Sequence, residues 1–406
     1  MKARGVLVVL LALVMLCSFA GCQKEPVPSA ESMEWIWVSE YGSQGALSQT
    51  GYYYTDGPLC YADFAAGANT TLCYVADCAH KRNCDAIITA STDSMQFWQD
   101  RLYFIRLDFS GMSLYSRNNI GTGELKVCSL GSKYMEESAA LRIEGNCAIV
   151  NGFYYYCGAV TESVPDGNGG TTTKENRAFI GCVNLKTGKE EIIFEEEYDK
   201  NLENLMICAV REDGVLFAHR EGTEVNRDDP DYVKKTRQMP MTLMQWSRGT
   251  GETTVIFSKP YLECSSIKCV TGGKVYYLAL RTEENNMDYH YYSYNLDTGK
   301  EEFVGEGARW FMGGGYSAQM DRETGKYRLV NLLTGEELPN NINLAGALRC
   351  KSDLGFVITK SIFEDPNATT GSVSALEYYY IAYESLADGA QESDLVYLYT
   401  DQMGGS

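Results

Sequence analysis

Asn-Gly-Phe-Tyr-Tyr at residues 151–155 is the clearest copy of a pattern that recurs along this chain. A Gly or Asp turn precedes an apolar and aromatic strand, and a second strand, a Thr-Gly turn and a third strand follow. In this copy the turn is Thr187-Gly188, and the third strand includes residues 191–194. Glycine supplies the positive φ of a tight hairpin, and Tyr, Val, Ile and Thr suit a pleated strand. The unit is therefore a run of antiparallel strands.

Seven copies of this unit can be located at intervals of roughly 40 to 60 residues, and helical periodicity is almost lacking. Five strong copies and two weaker ones are centred near Tyr53, Tyr103, Tyr154, Leu216, Tyr276, Ser317 and Phe356. A period of this length, with three or four strands in each unit, is typical of a β-propeller blade. We predict an all-β chain that forms a single β-propeller of seven blades. Six blades, or a pair of β-sandwiches, are the alternatives.

The strand pattern Leu-Val-Tyr-Leu-Tyr-Thr-Asp at residues 395–401 is too strong for an unstructured tail. Propellers often complete one blade with strands from both ends of the chain, which removes exposed sheet edges. We therefore expect N- and C-terminal strands to close the ring together.

The first 22 residues are typical of an export signal. Lys2 and Arg4 precede an apolar run at residues 6–16, and Ser-Phe-Ala-Gly-Cys follows at 18–22. This order predicts a lipoprotein signal peptide at 1–21, with cleavage before Cys22 and lipid on its thiol. The apolar run is too short to span a bilayer as a helix. Ordinary secretory cleavage or an uncleaved signal anchor is the alternative.

Residues 22–35 are polar and include two prolines, which predicts a flexible lipid-anchored tether. Residues 36–406 then form the propeller domain on the outer face of the cytoplasmic membrane, to which lipid on Cys22 attaches it. The 35 basic and 54 acidic residues of the chain give a net charge of −19, which repels nucleic acid. We expect a monomer without a nucleic-acid partner.

Two segments resemble a known group of proteins. Tyr-Tyr-Thr-Asp at residues 53–56 resembles the Tyr-Trp-Thr-Asp blade motif of low-density-lipoprotein-receptor-type propellers, and residues 398–401 are a weaker match. Leu-Cys at 72–73, Cys-Ala-His at 78–80 and Cys84 resemble a segment of clostridial lipoproteins that carry such a domain. The resemblance implies a fold and a location, but that group has no general activity to carry over.

Cys73, Cys78, His80 and Cys84 form a cluster with the spacing Cys-x4-Cys-x-His-x3-Cys. Three thiolates and one imidazole suit tetrahedral zinc, although Cys-x-His leaves little room for a chelating turn. The alternatives are a disulfide between Cys84 and either Cys73 or Cys78, free thiols, or redox chemistry. Zinc at this cluster is the one cofactor that the sequence suggests.

Aromatic side chains on loops are the other candidate site. Most of the Tyr strings belong to the core, because alternate residues of a strand point into the packed faces. Trp310 and Phe311, beside Gly-Gly-Gly at 313–315, are the candidates for stacking on a ligand.

The sequence contains three histidines and no recognisable nucleophile, phosphate-binding or zinc-protease motif. These features favour a binding or scaffolding module for a glycan, peptide or protein, and they assign no catalytic residue. The alternative is a carbohydrate-active or other hydrolytic propeller with acidic residues at the mouth of its channel.

Overall fold

The computed structural model is an all-β, seven-bladed β-propeller, as predicted. It describes residues 34–38, 45–75, 77–80, 84–88, 94–108, 111–135, 140–143, 146–165, 171–197, 205–220, 231, 235, 239–280, 289–307, 310–320, 327–342, 348–351, 354–364 and 373–402. Within these ranges no helix has the length and apolar character needed to cross a membrane. The predicted signal peptide, Cys22 and most of the tether lie outside the described residues.

The described chain begins with the short strand β1 (Ile36–Trp37). Blade 1 contains β2 (Gly45–Leu47), β3 (Gly51–Thr55), β4 (Leu59–Asp63) and β5 (Ala68–Thr71). Blade 2 contains β6 (Gln96–Trp98), β7 (Arg101–Asp108), β8 (Gly111–Asn118) and β9 (Leu125–Ser129), and the short helix α1 (Ser132–Met135) follows it. Blade 3 contains β10 (Ala140–Ile143), β11 (Ala148–Val150), β12 (Phe153–Pro165), β13 (Thr171–Asn184) and β14 (Lys189–Glu197).

Blade 4 contains β15 (Leu205–Arg211), β16 (Gly214–Arg220), β17 (Pro240–Ser247) and β18 (Thr253–Pro260). Blade 5 contains β19 (Ser266–Thr271), β20 (Lys274–Leu280), β21 (Tyr289–Asn295) and β22 (Glu301–Gly307). Blade 6 contains β23 (Trp310–Gly313), β24 (Tyr316–Met320), β25 (Tyr327–Asn331) and β26 (Glu337–Leu338). Blade 7 contains β27 (Leu348–Lys351), β28 (Gly355–Phe363), β29 (Val373–Ala382) and β30 (Val396–Gln402), with helix α2 (Tyr383–Leu386) before β30.

The recurring sequence pattern marks the second strand of six blades, so these blades begin one strand earlier than the pattern does. In blade 3 the pattern marks β12, which pairs with two preceding short strands, β10 and β11. The Thr-Gly turns connect the third and fourth strands of five blades. An asparagine shapes this turn in blade 3, where the side-chain oxygen of Asn184 accepts the N–H groups of Lys186 and Thr187, both at 3.0 Å. Asn295 and Asn331 make the same contacts in blades 5 and 6. These local side-chain hydrogen bonds explain why the turn motif repeats.

Seven apolar cores hold the ring, one between each pair of successive blades. Neighbouring residues of one strand enter different cores. In β12, Tyr154 and Tyr156 pack toward blade 2, whereas Tyr155 and Cys157 pack toward blade 4. Both faces of such a strand are buried, which explains its uninterrupted run of apolar and aromatic residues.

The ring closes differently from the prediction. Within the described residues, blade 7 is built only from residues 348–402 and blade 1 only from residues 45–71, so strands from the two termini do not share a blade. The predicted C-terminal strand is present as β30, and it meets blade 1 through its face. Tyr399 stacks between Tyr54 and Tyr378, with ring centroids 3.9 Å and 4.2 Å apart. Aromatic packing therefore replaces the expected shared hydrogen-bond ladder.

The N-terminal strand β1 lies in another part of the ring. It pairs with β15, the first strand of blade 4, and extends that sheet at its inner edge. Trp35 and Val38 flank β1 and are both buried. The guanidinium of Arg211 lies 4.3 Å from the ring centroid of Trp35. These contacts hold the start of the domain at the inner edge of blade 4.

Replacing Tyr399 with alanine tests the closing stack. We expect Tyr399→Ala to lower the free energy of unfolding by roughly 3 kcal/mol, because it removes a ring that packs against both blade 1 and blade 7. Tyr397→Ala, on the same strand but 39% exposed, is the matched control and should cost less than about 1 kcal/mol. Urea unfolding of both variants measures the difference. Equal losses would show that the stack does not close the ring.

Candidate metal centre

The connection between β5 and β6 brings the four residues of the predicted cluster together. One ligand atom from each of Cys73, Cys78, His80 and Cys84 lies within 4.8 Å of all the others. The Sγ atoms of Cys73 and Cys84 are 3.5 Å apart, and Nδ1 of His80 lies 3.5 Å from Sγ of Cys84. Residues separated by up to eleven positions therefore share one centre.

Two residues with a left-handed backbone conformation let Cys78 and His80 reach one centre although a single residue separates them. Asp77 has φ 58° and His80 has φ 48°, so the backbone reverses on both sides of Cys78. A turn closed by the N–H of Cys78 donating to the carbonyl of Val75 at 3.3 Å begins this reversal. Cys78 and His80 thereby both reach the centre although one residue separates them.

The connection is anchored to blades 1 and 2. The N–H of Leu59, in β4, donates to the carbonyl of Ala86 at 2.7 Å. Arg117, in β8, donates to the carbonyl of Asp85 and also pairs with Glu124 at 2.7 Å. Because Arg117 is nearly buried, these contacts form a fixed polar frame beneath the cluster.

The neighbours of Cys84 favour its thiolate form. Its sulfur accepts a hydrogen bond from the backbone N–H of Ala86 at 3.3 Å, and it lies in hydrogen-bond contact with Nδ1 of His80 and with Sγ of Cys73. These contacts, the one from His80 foremost, lower the pKa of Cys84 to about 7. A hydrogen bond to a thiolate favours its charged form, which is the form that binds metals.

The spacing of the four ligand atoms suits a metal ion. All eleven cysteines whose side chains the structure describes are free thiols. In a tetrahedral zinc site, with Zn–S distances near 2.3 Å, neighbouring sulfurs lie about 3.8 Å apart. The spacing of the four ligand atoms is close to this value, whereas a disulfide needs a sulfur separation of about 2.05 Å. The cluster can therefore hold a metal ion.

The structure corrects the prediction for one of the two stacking residues, Trp310. Trp310 is only 6% exposed, and its ring stacks on Tyr291 with centroids 4.0 Å apart. It also packs over Gly305, where a Cβ atom would lie 2.5 Å from the ring. Phe311 packs into the core between blades 6 and 7. The Trp310 ring therefore fills interblade space, whereas Phe311 is only partly buried.

A cavity that the sequence analysis missed lies between blades 2 and 3. It is lined by Trp98, Gln99, Asn151, Leu185 and Lys186. The residues come from three turns that are close in space but distant in sequence. The only sequence feature that points to this cavity is Trp98 directly before a tight Gln-Asp turn. That feature does not show which residues of blade 3 line the cavity with it.

The two histidines outside the cluster are paired with glutamates. Burial lowers the pKa of His219 to about 4, so its ring is neutral at pH 7, and Nδ1 lies 3.2 Å from Glu196. Nε2 of His290 lies 3.4 Å from Glu306. His80 belongs to the cysteine cluster. Each of the three histidines therefore contacts a cysteine or a glutamate.

No protein-family model matches this sequence, and no curated protein is similar to it. Among solved structures, an oligogalacturonate lyase in complex with manganese matches with a TM-score of 0.51 and 13% identity, over 86% of this chain and 91% of that chain. The oligogalacturonate lyase of Vibrio parahaemolyticus matches with a TM-score of 0.47 and 10% identity, over 80% and 88% of the two chains. A nidogen/laminin complex matches with a TM-score of 0.36 and 9% identity, over 75% and 91%. At these identities the similarities show the fold alone.

The reactivity of Cys84 tests the electrostatics of the centre. In chelator-treated protein we expect alkylation of Cys84 by iodoacetamide to rise with pH through about 7, because the thiolate is the reactive form. Cys264 is buried with a pKa raised to about 12 and should stay unlabelled in the folded protein. Mass spectrometry of alkylated peptides measures both. His80→Ala should move the Cys84 transition to higher pH, and an unchanged transition would contradict this account.

Proposed function

We propose that this chain is an extracytoplasmic binding module, held at the outer face of the cytoplasmic membrane by lipid on Cys22, and that a structural zinc ion occupies its Cys/His centre. The observation that carries the zinc assignment is the mutual approach of four ligand atoms within 4.8 Å. The ligand of the module is a glycan, a peptide or a protein. The seven interblade cores support this role because they make a rigid platform for connecting loops.

A structural role for zinc follows from the number of ligands. Three cysteines and one histidine fill a tetrahedral shell, so the ion keeps no open position for a catalytic water. The ion would tie together a connection that contacts β4 on one side and β8 on the other. Zinc thereby stabilises the junction of blades 1 and 2.

The position of β1 supports an attachment through the N-terminus. Eleven residues separate Cys22 from Glu34, and an extended segment of this length spans at most about 40 Å. Glu34 precedes β1. The first residue of β1, Ile36, pairs with Val210 near the end of β15, and the next residue of β1 pairs with Ala209. Glu34 therefore lies toward the end of blade 4 that carries the turn between β15 and β16.

Zinc content is the test of the centre. We expect the detergent-extracted full-length protein to contain one zinc per chain by elemental analysis, and Cys78→Ser and His80→Ala to reduce this content to near zero. Chelation should lower the midpoint of thermal unfolding, because metal that binds only the folded state stabilises it.

Cys128→Ser is the matched control, since this half-buried thiol lies in blade 2 outside the cluster. It should retain zinc. A zinc-free protein in which two thiols of the cluster resist alkylation until reduction would replace the metal centre with a disulfide.

Cys22→Ala tests the anchor. When the full chain is expressed in a Gram-positive host, we expect it to incorporate an alkyne-labelled fatty acid and to sediment with membranes. The variant lacks the thiol that accepts lipid, so it should lose the label. Labelling that persists in Cys22→Ala would exclude lipid at this residue.

A further inference from the structure

A cavity of about 600 Å³ opens where blades 2 and 3 meet. Its lining residues are Trp98 and Gln99 from the hairpin between β6 and β7, Asn151 from the hairpin between β11 and β12, and Leu185 and Lys186 from the turn between β13 and β14. The volume is in the range of small-molecule sites. Three turns of the ring thus build one recess.

Trp98 forms a fixed aromatic wall of this cavity. Its side chain is partly buried and packs against the core between blades 2 and 3. A Cβ atom on Gly152 would lie 3.1 Å from the edge of the Trp98 ring, so the glycine backbone lies directly against it. Leu185 packs against the same core and adds apolar surface. The ring is therefore held in place before any ligand binds.

Two amide side chains stand on rigid turns around this wall. Gln99 has φ 46° and Asn151 has φ 47°, and both are exposed in two-residue hairpin turns. Each amide offers a donor and an acceptor, which matches pairs of adjacent hydroxyl groups. Lys186 is also exposed, and its backbone N–H is held by Asn184 at 3.0 Å. The five lining residues include no carboxylate, although the chain carries a net charge of −19.

We propose that this cavity binds a pyranose unit of a glycan. The apolar C–H face of a sugar ring would stack on Trp98, the amides of Gln99 and Asn151 would bind its hydroxyls, and Lys186 would bind a further hydroxyl or a uronic carboxylate. A glycan is favoured over an extended peptide because four of the five lining residues lie in turns, which present no strand edge for backbone pairing. This inference rests on the proposed binding role and is independent of zinc and of the lipid anchor.

The test begins with an array of neutral and uronic-acid glycans, probed with the purified full-length protein, and continues with calorimetry on the glycan that binds. We expect Trp98→Ala to weaken that binding at least about tenfold, since it removes the stacking surface. Gln99→Gly and Asn151→Gly should each weaken it severalfold. Glycine tolerates positive φ, so these two variants remove the amides while keeping the turns.

Asp100→Gly is the matched control, because Asp100 occupies the same hairpin with φ 60° but does not line the cavity. It should bind like the unaltered protein. Lys186→Gln distinguishes the two glycan classes: it should weaken binding of a uronic-acid glycan much more than that of a neutral one. The proposal is overturned if no pyranose glycan binds, or if both glycine variants bind as tightly as the unaltered protein. Zinc content and membrane sedimentation, measured on the same samples, show separately whether the rest of the proposed function holds.

Discussion

The whole structure depends on burying both faces of every blade. A β-strand sends alternate side chains to opposite sides, and in this ring each side meets a different neighbouring blade. Tyr53 enters the core toward blade 2, while Tyr52 and Tyr54 enter the core toward blade 7. A closed ring of seven such cores has no free sheet face, so a blade cannot shift its register without disturbing two interfaces at once. The aromatic strings of the sequence are the consequence of this double burial.

The Cys/His cluster uses the frame that these cores provide. Its connection leaves the outer strand of blade 1 and returns to the inner strand of blade 2, so its backbone needs polar partners on both sides. Leu59 and Arg117 supply them at Ala86 and Asp85. Once these neighbouring residues are held, Cys84 has a fixed position to which Cys73, Cys78 and His80 converge. The centre is therefore local in sequence, but its geometry depends on the contact between two blades.

Trp310 and Trp98 show how burial decides the role of an aromatic residue. Trp98 comes directly before the turn at Gln99 and Asp100, and Trp310 begins a short strand that runs into Gly-Gly-Gly at 313–315. The sequence favoured Trp310 because of these three glycines. In the folded ring, Gly305 leaves space that the Trp310 ring fills, and Tyr291 covers one of its faces. Trp98 instead borders a recess, which turns of blade 3 line together with it. The residues next to Trp310 and Trp98 in the sequence do not show which of the two rings is buried and which borders a cavity.

The sequence by itself determined the all-β class, the seven repeats, their turns and the membership of the Cys73–Cys84 cluster. These features are local: alternation of side chains, hairpin glycines, asparagine-shaped turns and closely spaced ligands act within a few residues of one another. Only the tertiary structure decided that Tyr399 closes the ring through its face, that β1 joins blade 4, that Trp310 is buried and that Trp98 borders a cavity. Each of these outcomes depends on contacts between residues of different blades, because packing space is shared by segments that are distant in sequence.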